Sequence, residues 1–355
     1  MVTGISLVFS PMKFEPMLDR SALMETIHKA YGYPVSMLTF LPEGEVGCHY
    51  IAGSDGGRRW FVTLLVGSRL ARLQMERIDF TLALTRRLFD QSLFRSLVAP
   101  HFTRSGDLLG DFHGCPLIVY DYIDGGNLAG IQPYPSEILL SLGRLTAQLH
   151  GLLPSLGMEV PYIEQFTIPF EADLRSGLAE LEKLNTHNRP GQQVLRDLVL
   201  PQQMKLLGLL DRLHELGEAA RALQPPLVLV HTDLTPGNIL RTSSGELVIV
   251  DWEGAMLAPA EHDLFIFAGE GFSTLLAEYI RQLGKPFLHP RLFAYYFYRR
   301  ILEDLTDFLI QVLHENTTDE QDQHDLKWLR LDCLEDLPFL EKSEDWATRQ
   351  LRSIS

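Results

Sequence analysis

The spacing of apolar and polar residues changes near residue 126 and divides the chain into two parts. Before this point, short apolar runs bounded by turn residues predict strands, and two segments with helical spacing interrupt them. The predicted strands cover residues 37–40, 48–52, 60–66 and 117–123, and the predicted helices cover residues 19–31 and 72–89. After it, helical spacing prevails, most clearly at residues 136–153, 201–223 and 293–314. The pattern predicts an α+β protein with a small sheet-rich part, residues 1–125, and a larger helical part, residues 126–355.

The charge of the chain is strongly negative and unevenly distributed. The formal net charge is -15, and a negative surface repels phosphate backbones, so nucleic acid is not expected as a partner. Between residues 301 and 345 there are fourteen Asp or Glu residues and three Lys or Arg residues. These acidic positions are interpreted either as solvated helix faces or as a surface that attracts a cationic substrate.

The cysteines and the lack of long apolar stretches bear on the cellular environment. Cys48, Cys115 and Cys333 are odd in number, far apart and without metal-ligand spacing, which favours a reducing, cytoplasmic environment over a disulfide framework. No basic segment precedes an apolar core at the start of the sequence, so no signal peptide is expected. The most apolar stretch, residues 138–158, is interrupted by polar residues such as Arg144 and is predicted to be a buried helix, not a membrane span.

One segment, residues 228–264, carries the densest set of chemically active side chains. His231, Asp233 and Asn238 lie in a polar loop, and Asp251 follows a later apolar run. Carboxylate and carboxamide oxygens suit Mg²⁺, which takes one or two protein carboxylates and leaves its other positions to water and phosphates. Asn238 and Asp251 are therefore candidate metal ligands, and Asp233 is a candidate base for a substrate hydroxyl. The intervening Pro-Gly pair predicts a turn that brings Asp233 and Asn238 together, and a hairpin with ordinary turn-capping residues is the alternative.

The motif His-x-Asp-x₄-Asn, followed by Asp-Trp-Glu, resembles the signature of the aminoglycoside phosphotransferase and choline kinase group. In this sequence the motif comprises His231, Asp233, Asn238, Asp251, Trp252 and Glu253. Residues 256–264, together with residues 295–296 and 300–304, are most similar to the spectinomycin phosphotransferase branch of that group. The resemblance implies a bilobal protein-kinase-like fold. Residues 1–125 would form a nucleotide-binding lobe that ends in a hinge, and residues 126–355 would carry the catalytic loop and the acceptor site.

The resemblance also implies a role for each residue of the motif. Asp233 is implied to be the catalytic base, and His231 to shape the catalytic loop around it. Asn238 and Asp251 are implied to hold Mg²⁺ over the phosphates of ATP or GTP. Asp263, in the similar segment that follows, is implied to buttress the loop.

The small part of the chain departs from the group at the position of its phosphate-binding lysine. The matching strand has Thr63 there, and no lysine occurs between Lys29 and Lys183. The acidic partner of the missing lysine is expected at Glu76 or Asp79. Four arginines are candidates to replace its charge, namely Arg58, Arg59, Arg69 and Arg72.

Two further segments of the small part are assigned to the nucleotide. Gly44-Glu45-Val46-Gly47 lies between two predicted strands and is interpreted as a phosphate-covering loop or as an ordinary hairpin turn. By resemblance, the backbone of the hinge strand binds the adenine edge, and this strand includes Tyr120, Tyr122 and Ile123. A position in the core is compatible with the same strand.

Acidic residues near the end of the similar region are candidates for binding the acceptor. Glu303 and Asp307 are four residues apart on a predicted helix and therefore share one face. With Asp304, Glu253 and the base Asp233, they are candidates to bind ammonium groups of an aminocyclitol or choline-like substrate. A solvated acidic face is the alternative. The aromatic residues 295–298 are interpreted either as packing or as a cation-binding wall.

Two functional hypotheses follow from these observations. The first is an ATP- or GTP-dependent and Mg²⁺-dependent phosphotransferase that acts on a hydroxyl of a small, cationic molecule such as an aminoglycoside or aminocyclitol. The second is a pseudoenzyme that binds a nucleotide or small molecule with weak or no transfer, which Thr63 supports and the complete catalytic motif opposes. The expected partners are the nucleotide and the acceptor, without nucleic acid or membrane, in a monomer or homodimer.

Overall fold

The small part of the chain is built around five antiparallel strands. The computed structural model describes residues 15, 17–42, 47–65, 75–185 and 187–354. The strands are β1 Met37–Leu41, β2 Cys48–Gly53, β3 Arg59–Leu64, β4 Gly110–Phe112 and β5 Cys115–Asp121, in the spatial order β1-β2-β3-β5-β4. Helix α1, Arg20–Tyr31, precedes the sheet, and helix α2, Ile78–Asp90, follows β3. The predicted strands and helices are confirmed in type. Helix α2 follows a turn at residues 76–77, whereas its predicted start at residue 72 lies outside the described residues.

The two faces of this sheet have different neighbours. Because successive strand residues point to opposite faces, Trp60 and Val62 lie on one face, where they pack in a buried cluster with α1. Phe61 and Thr63 lie on the other face, and Thr63 is in register with Ile118 of β5. This second face packs in part against α2, since Ile118 forms a buried cluster with Ile78 and Leu82 of that helix.

The larger part is mainly helical and contains most of the buried core. Its α-helices are α3 Ser136–His150, α4 Leu153–Leu156, α5 Glu171–Leu181, α6 Pro190–Val199, α7 Gln203–Leu223, α8 Glu261–Leu264, α9 Phe272–Leu283, α10 Pro290–Ile310, α11 Asp319–Trp328, α12 Leu337–Leu340 and α13 Ser343–Arg352, of which α4, α8 and α12 are single turns. Helix α10 continues into a π-helical segment, Gln311–Glu315. The helices predicted at residues 136–153, 201–223 and 293–314 are confirmed.

Five short strands in this part carry the catalytic motif. They are β6 Gly125–Asn127, β7 Val228–Val230, β8 Ile239–Thr242, β9 Leu247–Ile249 and β10 Met256–Ala258. Strands β6, β8 and β9 form one antiparallel sheet, and β7 pairs with β10 in another. The hairpin predicted on either side of a turn at residues 243–245 is confirmed as β8 and β9. The preceding strand β7 takes the later strand β10 as its partner.

The two parts of the chain are packed against each other. Leu84 and Leu88 of α2 belong to the same buried cluster as the helices of the larger part, and Leu97 forms a parallel bridge with Ile249 of β9. The predicted α+β, bilobal fold is confirmed. The functional division at residue 125 stays a prediction, although β6 begins at that point and pairs with the larger part. No helix in the described part of the chain is both long and apolar enough to cross a membrane.

Candidate active site

The structure brings Asp233 and Asn238 into direct contact. Strand β7 leads into the loop that contains Asp233, and a 3₁₀ turn, Pro236–Asn238, reverses the chain before β8. The side-chain amide of Asn238 donates hydrogen bonds to the backbone oxygen of Asp233 at 3.1 Å and to its carboxylate Oδ2 at 2.6 Å. Since the nitrogen of this amide faces Asp233, its oxygen is left for another partner.

Asp251 is placed beside Asn238 by the β8–β9 hairpin. Ile239 pairs with Ile249, and the backbone N–H of Val250 donates to the backbone oxygen of Asn238 at 3.0 Å. Asp251 follows directly and is exposed. The amide oxygen of Asn238 and the carboxylate of Asp251 are the oxygen donors that Mg²⁺ prefers, with phosphates and water filling its other positions. No group of three or more His, Cys, Asp or Glu side chains in the described residues has the arrangement of a metal site.

Two residues of the site have left-handed backbone conformations. Thr232 has φ +79° and Asp251 has φ +69°. A side chain beyond glycine costs of order 1–3 kcal/mol in such a conformation, most for a β-branched residue, and it persists only where neighbouring contacts hold it. Thr232 directly precedes the predicted base Asp233, and Asp251 is itself a predicted metal ligand.

Asp263 supplies the contacts that hold Thr232. Its carboxylate accepts hydrogen bonds from the backbone N–H groups of His231 at 2.9 Å and Thr232 at 2.7 Å, and from His150 Nε2 at 3.0 Å. His150 Nδ1 is in turn 2.8 Å from the Tyr279 hydroxyl. Burial alone would raise the pKa of Asp263, but these hydrogen bonds outweigh it and the pKa is lowered. The charged carboxylate therefore fixes the backbone directly before Asp233.

His231 joins the loop of Asp233 to the strand that precedes Asp251. Its Nε2 is 3.0 Å from the backbone oxygen of Val250, and its Nδ1 accepts from the backbone N–H of Asp233 at 3.3 Å. A carbonyl only accepts, so Nε2 carries the proton. His231 is fully buried and has both ring nitrogens engaged. Its geometry is that of a residue that shapes the loop, and it has no access to a substrate.

An arginine from helix α10 contacts the predicted base. Arg300 Nη1 donates to Asp233 Oδ1 at 3.2 Å, and Arg300 Nε donates to Asp304 Oδ2 at 2.9 Å. Burial raises the pKa of Asp233, and the charge of Arg300 only partly opposes that effect. Burial likewise raises the pKa of Asp304 to about 6. The sequence did not reveal this pairing.

Two of the acidic residues predicted to bind the phosphate acceptor already have arginine partners within the protein. Arg299 Nε lies 3.6 Å from Glu303 Oε2, and Arg299 Nη1 donates to Glu164 Oε2 at 2.8 Å. Glu303 and Asp304 were predicted to form an acidic surface, but the structure gives each an arginine partner from the preceding turn of the helix. Asp307 lies one turn further along α10. The acceptor roles of these residues stay predictions.

Two other groups proposed for the acceptor differ in placement. Glu253 is half-buried, and its Oε2 atom is buried without a hydrogen-bond partner among the described residues. Burial and the adjacent Asp251 carboxylate raise the pKa of Glu253. By contrast, Tyr295, Tyr296, Phe297 and Tyr298 are all buried. These aromatic rings are core packing, the first of the two interpretations made for them.

The position of the missing lysine is occupied by a threonine that contacts a histidine of the neighbouring strand. Thr63 lies beside His49 of β2, and His49 Nδ1 is 3.2 Å from Thr63 Oγ1. The predicted acidic partners, Glu76 and Asp79, are both exposed. Next to Glu76, Arg77 donates to the backbone oxygens of residues 254 and 255 at 3.1 and 2.8 Å. Arg77 therefore ties the start of α2 to the segment that follows Asp251, a link that the sequence did not indicate.

The candidate replacement arginines near β3 lie at the hinge end of the sheet. Arg58 is 3.5 Å from Asp121, and Arg59 is 3.2 Å from Asp124 with its guanidinium 4.2 Å from the centre of the Tyr122 ring. Four residues of strand separate Arg59 from Thr63, which is roughly 13 Å. These two arginines therefore do not replace the missing lysine. Arg69, Arg72 and most of the Gly44–Gly47 loop lie outside the described residues.

The hinge residues occupy the junction between the two parts. Strand β5 ends at Asp121, so Tyr122 and Ile123 follow the sheet and precede β6. The ring of Tyr120 lies beside that of Phe61, with ring centres 6.5 Å apart. Burial first, and then the charges of Glu253 and Asp251, raise the pKa of Tyr120. Adenine binding by this backbone stays a prediction.

The comparison with known protein families decides the classification. The model of the phosphotransferase enzyme family matches residues 38–305. The chain belongs to this family. The predicted family and the predicted class of small-molecule kinase are thereby confirmed. Protein StrN of Streptomyces griseus is 28% identical over 244 residues, which are 66% of this chain and 70% of that protein.

Solved structures show the same fold at low sequence identity. A spectinomycin phosphotransferase in complex with ADP and spectinomycin has a TM-score of 0.74 and 19% identity, and the match covers 95% of this chain and 100% of that one. A choline kinase from Cryptosporidium parvum Iowa II has a TM-score of 0.54 and 13% identity, with 93% of this chain and 100% of that chain covered. An amicoumacin kinase in complex with AMP-PNP and Ca²⁺ has a TM-score of 0.54 and 15% identity, with 92% and 94% covered. These likenesses establish the kinase-like fold.

Proposed function

We propose that this phosphotransferase-family chain transfers the γ-phosphoryl group of ATP or GTP, with Mg²⁺, to a hydroxyl of a small cationic molecule. The observation that carries the proposal is the convergence of Asp233, Asn238 and Asp251. Asn238 is bonded to Asp233 through its amide nitrogen and to Val250, the neighbour of Asp251, through its backbone oxygen. A base, an amide oxygen and a carboxylate thus meet at one end of the β8–β9 hairpin.

Each of these side chains has one task in the proposed reaction. Asn238 and Asp251 hold the metal ion, which neutralises charge on the phosphates when bound. Asp233 accepts the proton of the acceptor hydroxyl as its oxygen bonds to the γ-phosphorus. The bond between that phosphorus and the β–γ bridging oxygen breaks, and the nucleoside diphosphate leaves. Because the structure holds the Asp233 carboxylate from both sides, through Asn238 and Arg300, the base is positioned before the acceptor arrives.

The charges around Asp233 support a cationic acceptor. Asp233, Glu164, Glu303 and Asp304 contribute four carboxylates to the cluster, whereas Arg299 and Arg300 contribute two guanidinium groups. The negative excess lies beside the proposed base. The spectinomycin phosphotransferase that shares the fold is a complex with an aminocyclitol antibiotic, and this adds support for a related class of acceptor.

The experiment is a nucleotide-consumption assay with a panel of acceptors. The panel contains spectinomycin, other aminoglycosides, choline and amino sugars, each tested with Mg²⁺ and either ATP or GTP. Asp233→Asn should lower turnover by about 10²–10⁴-fold, the usual contribution of a general base. Asp211→Asn, the same change at an exposed position of α7, is the matched control and should leave turnover unchanged. Equal turnover by Asp233→Asn and the parent protein would exclude Asp233 as the base.

One observation favours the alternative of a nucleotide-binding pseudoenzyme. Thr63 occupies the lysine position, and the exposed Glu76 and Asp79 have no lysine there to pair with. Binding of Mg²⁺-nucleotide in calorimetry without turnover for any member of the panel would support this alternative. Acceptor-dependent turnover that is lost in Asp233→Asn would exclude it.

A further inference from the structure

The face of the five-stranded sheet that carries Phe61 and Thr63 has one directly bonded polar pair among the described residues. His49 and Thr63 are cross-strand neighbours, 3.2 Å apart between Nδ1 and Oγ1. The residues beside them on the same face are apolar, and they include Ile51, Phe61 and Ile118. Thr63 is only 8% exposed. Burial of polar groups costs free energy unless they are hydrogen-bonded, and the contact between His49 and Thr63 satisfies only one of the two ring nitrogens of His49.

The imidazole of His49 is held in one orientation. Its ring stacks on Phe61, with ring centres 5.2 Å apart and planes at 23°. Thr63 engages Nδ1, so the ring has Nε2 left for a further partner. Burial lowers the pKa of His49, and the opposing charge that acts on the ring is the carboxylate of Asp251. The side chains of His49 and Asp251 therefore lie within the range of electrostatic interaction.

These two groups suit a ligand that brings a metal ion to Asp251 and a hydrogen-bond acceptor to His49. Asp251 is a proposed Mg²⁺ ligand, and imidazole is a hydrogen-bond donor to oxyanions. Phosphate oxygens of a nucleotide meet both requirements. Among the described residues of the five strands, Arg59 is the one Lys or Arg on this face, and it is bound to Asp124 and Tyr122 at the hinge end. At the opposite end of this face, beside Thr63, the hydrogen-bond donor available for a phosphate is therefore His49.

We propose that His49, oriented by Thr63, donates a hydrogen bond from Nε2 to the phosphates of the bound nucleotide. This inference rests on the proposed function, because it requires a nucleotide in the cleft. It assigns the phosphate contact of the small lobe to β2, the neighbour of the strand that carries Thr63. His49 would then discriminate ligands with phosphates from ligands that have only the base and ribose.

The test compares the binding of ADP and adenosine by calorimetry, each in the presence of Mg²⁺. The variants of the full chain are His49→Ala, His49→Gln and Thr63→Val. His113→Asn is the control, since His113 is exposed in the turn between β4 and β5 with φ +54°, a conformation that Asn tolerates. Thermal unfolding is measured for every variant.

His49→Ala should weaken ADP binding by about tenfold, the loss of one hydrogen bond to a charged group, and leave adenosine binding unchanged. His49→Gln should recover part of the loss, because the glutamine amide also donates. Thr63→Val should weaken ADP binding by about threefold, since it removes only the group that orients the ring. If His49→Ala does not fold, the glutamine and valine variants carry the test.

The outcomes separate this inference from the proposed function. Tight ADP binding by the parent protein, with an unchanged ratio of ADP to adenosine affinity in the variants, overturns the role of His49 and leaves the kinase proposal standing. A lower unfolding temperature without a change in that ratio gives His49 a purely structural role and overturns it as well. If the parent protein does not bind ADP, GDP and guanosine replace ADP and adenosine, and failure to bind GDP as well overturns the proposed function itself and the inference with it.

Discussion

Replacing Asp263 with asparagine should reveal how much of the catalytic loop depends on one buried charge. Asp263 is fully buried, and its two oxygens divide three hydrogen bonds between them. Oδ1 accepts from Thr232 N, and Oδ2 accepts from His231 N and from His150 Nε2. Asparagine has the same shape but only one acceptor oxygen, so one side of the group must present an N–H₂ to a donor.

The structure sets the size of the effect. The better orientation of the new asparagine side chain keeps the two bonds at the former Oδ2 and turns its amide nitrogen toward Thr232 N, which lay 2.7 Å from the lost oxygen. One charge-assisted bond is lost, at about 1.5–3 kcal/mol, and a buried donor is left unsatisfied, at about 1–3 kcal/mol. The expected destabilisation is about 3–5 kcal/mol. Since Thr232 is strained and precedes Asp233, turnover should fall as well.

The assay is urea unfolding of Asp263→Asn and of the parent protein, followed by circular dichroism. Asp211→Asn provides the matched control for a surface position and should change the free energy of unfolding by less than about 0.5 kcal/mol. One unsatisfied buried donor alone costs at least about 1 kcal/mol. A smaller destabilisation by Asp263→Asn would therefore contradict the predicted role of the buried charge. It would mean that the three bonds to Asp263 do not hold the loop.

Two further predictions concern the free energy of unfolding. Burial raises the pKa of Glu261 to about 8 from 4.5, so between these values the folded state keeps a proton that the unfolded chain has lost, and stability falls as the pH rises. The free energy of unfolding of Glu261→Gln, relative to that of the parent, should rise by about 1.4 kcal/mol per pH unit in this window. Urea unfolding of both proteins at about pH 5, 6 and 7 measures it, and the same pH dependence in both proteins would contradict the buried proton. Gly143→Ala should destabilise by about 1–3 kcal/mol, because its Cβ would lie 2.5 Å from the backbone oxygen of Leu275. Gly208→Ala, on an open helix face, should stabilise by about 0.5–1 kcal/mol; similar effects of the two substitutions would contradict close packing of α3 against α9.

The contacts that could be predicted from the sequence are those between residues a few positions apart. Asp233 and Asn238 are five residues apart, and the Pro-Gly pair between them can form only a few tight turns. The contact between them therefore follows from the short chain that connects them. The same holds for the β8–β9 hairpin, whose two apolar runs flank a Ser-Ser-Gly turn. Local spacing also gave the correct types for the main helices.

Contacts between distant segments could not be predicted in this way. Arg300 is 67 residues from Asp233, and nothing in its neighbourhood on α10 distinguishes it from a solvated arginine. The acidic residues Glu303 and Asp304 were predicted to present free charge, because spacing on a helix shows which residues share a face and not which cations lie opposite. His49 was missed for a related reason: its importance depends on cross-strand register with Thr63, which requires the pairing of strands and not their sequences alone.

The central claim is that Asp251 and Asn238, next to Asp233, converge on a divalent ion that is bound together with nucleotide phosphates. Electron paramagnetic resonance of Mn²⁺, titrated with ADP and the protein, tests this claim most directly, since Mn²⁺ takes the same oxygen ligands as Mg²⁺. We expect ADP-dependent Mn²⁺ binding that Asp251→Asn and Asn238→Leu each weaken by at least about tenfold, while Asp211→Asn binds as the parent does. Undiminished Mn²⁺ binding by both site variants would contradict the claim.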